Sequence, residues 1–152
     1  MDREGLNKEI DIELQNLERL TREMEELTNR AANNPDFIET RAAGSILHDF
    51  YCGVEKIFER ISINIDGKLP KGEDWHTELL LQMGKPIKGV RKAIITHDLL
   101  KKFNEYLRFR HLFRHIYGFE LKWERFKDLA LSLSAILSKF KDNIEEFKKY
   151  QK

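Results

Sequence analysis

Cysteine is nearly absent: Cys52 is the only one in 152 residues, which excludes an internal disulfide and any multi-cysteine metal cage and points to a reducing compartment. Proline and glycine are also scarce, with 3 and 8 copies, too few turn formers for a many-stranded β fold. No charge of one sign dominates. Lysine and arginine total 27 against 26 acids, so no whole-protein field exists for gripping long nucleic acid, and any basic site must be local. The longest apolar-leaning run, around Leu129 to Leu137, falls far short of the roughly 20 residues of a membrane span. The opening MDREGLNKEIDIEL is charged where a secretory signal is apolar. The expectation is one cytoplasmic domain over residues 1–152, without a membrane span and rich in helix.

The apolar pattern supplies the helices. From Leu6 to Ala32, residues Ile10, Leu17, Met24 and Ala31 recur every seven positions, with Leu20 and Leu27 on the same seam, which predicts a long amphipathic helix. At Asn33-Asn34-Pro35-Asp36, Asn34 is the expected cap and Pro35 the first residue of a second helix. That helix carries Ala43, Ile46, Phe50, Val54, Ile57 and Ile61 and stops near Asp66-Gly67. After a polar loop, Trp75 to Met83 predicts a short helix, and PIKGVRKAII reads as a connection across one end. Thr96 is the expected cap of a third long helix running to Tyr117, with Gly118 as a left-handed stop. Trp123, Phe126, Ala130, Leu133, Leu137, Phe140, Ile144 and Phe147 predict one continuous last helix. The expected fold class is all-α: an up-and-down four-helix bundle with one additional short helix.

Several familiar chemistries find no support. GKLPKGED lacks the order of a phosphate loop and follows no strand. Glu73-x-x-His76 is a single copy where a di-iron bundle needs two. His111 and His115 stand four apart, but Leu112 replaces the glutamate of a zinc helix and a third ligand is missing. Neither a metal nor a cofactor is expected. Glu55 and Glu59, flanked by Lys56 and Arg60, read as a solvated charged face. His48, Tyr51 and Cys52 read as packing or subunit-contact residues on one flank of the second helix.

One segment stands apart. RFRHLFRHIYG, residues 108–118, concentrates three arginines, two histidines and a tyrosine. At about 100° per residue, with Arg110 at zero, Leu112, Ile116, Phe109, Phe113 and Tyr106 fall on a core arc. Arg108, His111, Arg114 and His115 share the opposite face, with Arg110 and Tyr117 at the boundary. That face carries no acid. Phosphodiester cleavage without a metal requires a proton carrier with a pKa near neutrality and fixed cations for the extra phosphorane charge, and histidine and arginine supply those two functions. An anion or partner patch without chemistry, or a plain solvated flank, would use the same residues.

The run Arg110 to Tyr117 has the form R-x4-H-x-Y and resembles the motif of HEPN-domain ribonucleases, specifically the HepT-type toxins. HDFYCGVEKIFERI, DWHTELL and EYLRFRHLFRHIYGFEL resemble the HepT-like branch as well. One position departs: the residue after the motif arginine is often Asn, and here it is His111. The resemblance implies a homodimer whose facing motif helices form a composite groove for cleaving RNA. Arg110 and His115 would be its catalytic pair, and Arg108, His111 and Arg114 its supporting RNA-binding residues. It also implies a minimal nucleotidyltransferase antitoxin that attaches AMP to Tyr117. The alternative is a non-catalytic HEPN-like bundle that binds a nucleotide or a nucleotidyltransferase as an accessory subunit.

Overall fold

The computed structural model describes residues 1–150. Six helices follow in order: α1 (Arg3–Arg30), α2 (Phe37–Ile61), α3 (Trp75–Met83), α4 (His97–Phe113), α5 (Trp123–Leu131) and α6 (Leu133–Tyr150). Among the described residues there is no β-strand, only an isolated bridge between Ile87 and Arg91. The all-α expectation is therefore met. Helix α1 packs on α2, α2 on α4, and α6 closes against both α1 and α4, while α3 lies on α2 and α4. No described helix is long and apolar enough to cross a membrane.

Helix α2 is the central staff. Ala43, Leu47, Phe50, Tyr51, Val54, Ile57, Phe58 and Ile61 are fully buried along it, a density that needs partners on several sides. Gly53 lets α1 approach closely, because a Cβ there would stand 2.6 Å from a methyl of Leu17. Phe58, Phe103 and Phe140 pack edge to face with centroids 5.1–6.0 Å apart and pin α2, α4 and α6 together. Truncating such a buried ring costs about 3–5 kcal/mol.

The helix boundaries correct four sequence expectations. The cap of α2 is Asp36, not Asn34, and Pro35 lies outside the helix. The Asp36 carboxylate accepts from the Glu39 amide at 2.8 Å, and the Glu39 carboxylate accepts from the Asp36 amide at 3.0 Å. This reciprocal pair satisfies two otherwise unpaired amides where a lone Asn would satisfy one, and it places negative charge at the positive end of the helix. Helix α4 begins at Thr96 as expected, with its hydroxyl accepting from the Leu99 amide, but ends at Phe113, four residues before Tyr117. Gly118 is not left-handed. It permits close approach instead, because a Cβ there would stand 2.7 Å from Nε of Arg41 on α2.

The last helix is two helices. Ser132 separates α5 from α6, although every residue of the expected seam from Trp123 to Phe147 is buried. The Ser132 hydroxyl donates to the Asp128 carbonyl at 2.7 Å. Tyr106 of α4 donates its phenol to the Leu129 carbonyl at 2.7 Å. Side-chain donors drawn onto helical carbonyls loosen the ladder and bend the axis. Burial pushes the Tyr106 phenol up to about 12, which keeps the donating proton in place.

The connection from α3 to α4 is anchored by charge. Arg91 grips Asp66 through Nε and Nη2 at 2.6 and 2.7 Å, with both side chains wholly buried, and also donates to the carbonyls of Lys85, Lys92 and Gln82. Two parallel bonds and satisfied remaining donors are the conditions under which a buried pair holds its geometry. Asp66 ends a π-helical extension of α2, Ser62–Asp66, closed by Gly67 at φ 74°.

Candidate functional site

The motif residues divide at the end of α4. Arg110 lies within the helix and points toward α2, its side chain only 14% exposed. Its Nε donates to Cys52 Sγ at 3.4 Å and stands 3.9 Å from Oε1 of Glu55. The other Glu55 oxygen is 2.6 Å from Nδ1 of His76, which α3 delivers, and the imidazole stacks on Trp75. Glu55 is thus a carboxylate, 6% exposed, shared between an arginine and a histidine from two other helices. A buried carboxylate needs such partners, since leaving it alone is far more costly than burying the neutral acid.

Tyr51 lies one turn before Glu55. Its hydroxyl is buried with no hydrogen-bond partner among the described residues. Burial holds its pKa well above the usual phenol range, the Glu55 charge adds to that, and Arg110 opposes it. The phenol therefore faces the same charge pair as a neutral donor. Burial and the charge of Glu55 also raise the pKa of Glu59, against the opposing pull of His76, Arg60 and Lys56.

The C-terminal half of the motif is different. Past Phe113 the chain tightens, with the His115 amide bonding to the Leu112 carbonyl, and His115 stands exposed. Its Nδ1 is 2.7 Å from the His111 carbonyl. A carbonyl only accepts, so Nδ1 carries a proton, and in the neutral ring Nε2 is then the acceptor, with no hydrogen bond to it among the described residues. The His111 and His115 rings lie 4.3 Å apart. Arg108 and Arg114 are exposed and, among the described residues, paired with no carboxylate.

Tyr117 does not lie on the wheel beside Arg110. It precedes a 3-10 turn, Gly118–Glu120, in extended conformation and is 71% exposed. Leu112, expected on the core arc, is 47% exposed, because the helix ends one residue later and no neighbour covers it. Phe113 and Ile116 do pack on the core, and Tyr106 and Phe109 are buried in it.

The residues of the expected pair do not touch within one subunit. Among the described residues no hydrogen bond, ion pair or ring contact joins Arg110 to His115. Glu55 and His76 were missed by sequence reasoning as parts of this neighbourhood. Their only signal was a carboxylate one turn after an aromatic on the most apolar of the long helices, where a solvated face is out of place. His48, Tyr51 and Cys52 do line one flank of α2, and His48 rests on Phe113 with centroids 5.3 Å apart.

The protein family described as HepT-like protein matches residues 42–151. The chain belongs to the HepT-like family. The matched span runs from the second turn of α2 onward and contains Glu55, His76 and the whole Arg110–Tyr117 motif, while α1 lies outside it. No curated protein and no solved structure matches the chain. For this HepT-like protein, then, two neighbourhoods bear on chemistry: a sheltered charge cluster around Arg110, and an open basic and aromatic end around His115.

Proposed function

We propose that this HepT-like protein is a metal-independent endoribonuclease, built as a single domain over residues 1–152, and the toxin of a cytoplasmic toxin–antitoxin pair. The observation that carries the reading is His115: an exposed imidazole with Nδ1 tied to a carbonyl and Nε2 free, within a basic segment of a HepT-like chain. In this reading Nε2 removes the proton from a ribose 2′-hydroxyl. The 2′-oxygen then attacks the adjacent phosphorus, the bond from phosphorus to the 5′-oxygen breaks, and that oxygen takes up a proton. The products are a 2′,3′-cyclic phosphate and a free 5′-hydroxyl. Arg110 stabilises the charge gathered on the phosphoryl oxygens, and Arg108, His111 and Arg114 hold neighbouring phosphates.

Because Arg110 and His115 diverge within one chain, the reading includes a homodimer in which His115 of one copy works with Arg110 of the other across a two-fold groove. Control falls to a minimal nucleotidyltransferase that adds AMP to Tyr117, whose exposed hydroxyl is open to such an enzyme. The bulk and negative charge of the adduct beside the cations would then exclude RNA.

Incubation of the purified protein with single-stranded RNA in EDTA tests the nuclease. Cleavage that falls about 10²- to 10⁴-fold in His115→Ala, with the helical spectrum unchanged, is the expected outcome for loss of a general acid–base group. Undiminished cleavage by folded His115→Ala protein overturns the mechanism, and a wild type that binds RNA without cleaving it leaves the accessory-subunit role.

A further inference from the structure

The 3-10 turn after the motif carries a feature that proton transfer does not use. Tyr117 and Phe119 stack face to face, their planes within 8° and centroids 5.2 Å apart. They are 71% and 65% exposed. A parallel aromatic pair left open to water is not packing for a core. It presents a flat π-surface about the size of a nucleobase, and stacking on such surfaces is the sequence-tolerant way in which proteins hold unpaired bases.

One cation adjoins it, and a second, Arg114, stands three residues before Tyr117 in the chain. Arg41 of α2 lies against Gly118 between the two rings, so near that a Cβ at Gly118 would meet its guanidinium at 2.7 Å. Among the described residues Arg41 has no carboxylate partner, and neither has Arg114. The acid of the turn, Glu120, is exposed, and its carboxylate is engaged within the turn, accepting from the Tyr117 amide at 2.9 Å, a bond that also fixes the turn. A flat apolar surface edged by unpaired cations matches one nucleotide: base on the rings, phosphate on the guanidiniums.

We propose that Tyr117 and Phe119 form a stacking platform for an unpaired base of single-stranded RNA, with Arg41 holding the phosphate of that nucleotide. The proposal deepens the nuclease reading and rests on it for the identity of the nucleic acid. It places the flanking nucleotide next to His115 and selects against duplex, whose bases are already stacked on one another. It also gives AMP on Tyr117 a second effect, since the adduct would place a nucleotide on the surface that the substrate base occupies.

The test measures binding without cleavage, using a fluorescein-labelled 12-nucleotide 2′-O-methyl RNA whose blocked 2′-oxygens cannot attack phosphorus, alone and annealed to its complement. Fluorescence anisotropy of Phe119→Ala should show about tenfold weaker binding of the single strand, within the range that base–aromatic stacking spans, and unchanged binding of the duplex. Phe119→Trp should restore it. Arg41→Gln should weaken binding and lower the salt slope by about one phosphate contact. Single-strand affinity equal to wild type in folded Phe119→Ala protein overturns the platform, as does a wild type that prefers the duplex. A Phe119→Ala protein that changes from dimer to monomer with single-strand affinity intact also overturns it, and assigns the rings to a subunit contact. The two readings fail separately: cleavage with no Phe119 dependence removes only the platform, and Phe119-dependent binding without cleavage removes only the nuclease.

Discussion

Four residues separate Arg110 from His115, yet the two sit in opposite physical regimes. Arg110 is held in a sheltered junction of three helices, its guanidinium facing Cys52 and Glu55 while Glu55 is also bound by His76. His115 stands on a tightening turn beyond the helix, tied to His111 one turn back through its carbonyl and its ring. One end of the motif is fixed by tertiary structure, the other by local structure. A sheltered, pre-aimed cation suits charge stabilisation, which gains from low dielectric and little reorganisation. An exposed imidazole suits proton exchange with a substrate that must come and go.

The contrast is tested most severely by paired alanine variants. His115→Ala should remove about 10² to 10⁴ of cleavage rate and leave the melting temperature within about a degree, because substitutions at exposed sites usually stay within about 0.5 kcal/mol. Arg110→Ala should cost about 10² to 10³ in rate through lost charge stabilisation and also lower the melting temperature by several degrees, since it leaves a buried carboxylate with one partner fewer. Thermal melts beside single-turnover cleavage separate the two. An Arg110→Ala protein that melts like wild type would show that the junction does not hold the arginine as described.

Glu55→Gln probes the same junction one step removed. The amide keeps the shape of the side chain but loses the charge that faces Arg110 and His76, so cleavage should fall about tenfold, with the loss in kcat and little change in KM, as expected when an oriented group loses its aim. A rise in KM alone would instead place Glu55 in substrate binding. At the open end, Tyr117→Phe should leave stability unchanged within about 0.5 kcal/mol, because the hydroxyl is in water. Intact-mass spectra after co-expression with a cognate nucleotidyltransferase should then lack the AMP adducts seen on wild type. Adducts on Tyr117→Phe would move the modification to another residue.

Legibility in the sequence followed the same divide. The seam from Trp123 to Phe147 was readable because burial of a helix face depends on period alone, and all eight of its residues are buried. The break at Ser132 was not, because it depends on a tyrosine hydroxyl reaching across from α4. Wheel positions held for Tyr106, Phe109, Phe113 and Ile116 and failed for Leu112 and Tyr117: Tyr117 was placed by extrapolating a helix that ends four residues earlier. Glu55 was misread because acids and bases interleaved along one helix, here Glu55, Lys56, Glu59 and Arg60, look alike on solvated and buried faces, and only the arrival of α3 decides between them. The Asp36-x-x-Glu39 box, by contrast, was fully local and was passed over in favour of the neighbouring asparagine.

The smallest expected effect is also the most specific to the sheltered side. Glu59 follows Glu55 by one turn on α2, and its pKa is raised first by burial and then by the Glu55 charge. A carboxyl whose folded pKa lies above its unfolded value contributes stability that is present below the unfolded pKa and is lost as the pH rises through the folded one. At neutral pH the ionised Glu59 is therefore a mild liability. Glu59→Gln should raise the melting temperature near pH 7 and bring no gain near pH 3.5, where both proteins carry a neutral group. Glu59 is only partly buried, so screening keeps the gain small, about 1 °C for less than about 0.5 kcal/mol in a chain of this size. Combining it with Glu55→Gln sharpens the point. If the shared negative field of the junction is the cause, the Glu59→Gln gain should shrink once Glu55 is neutral. A gain of equal size in both backgrounds would trace the shift to burial alone and leave Glu55 without influence one turn away.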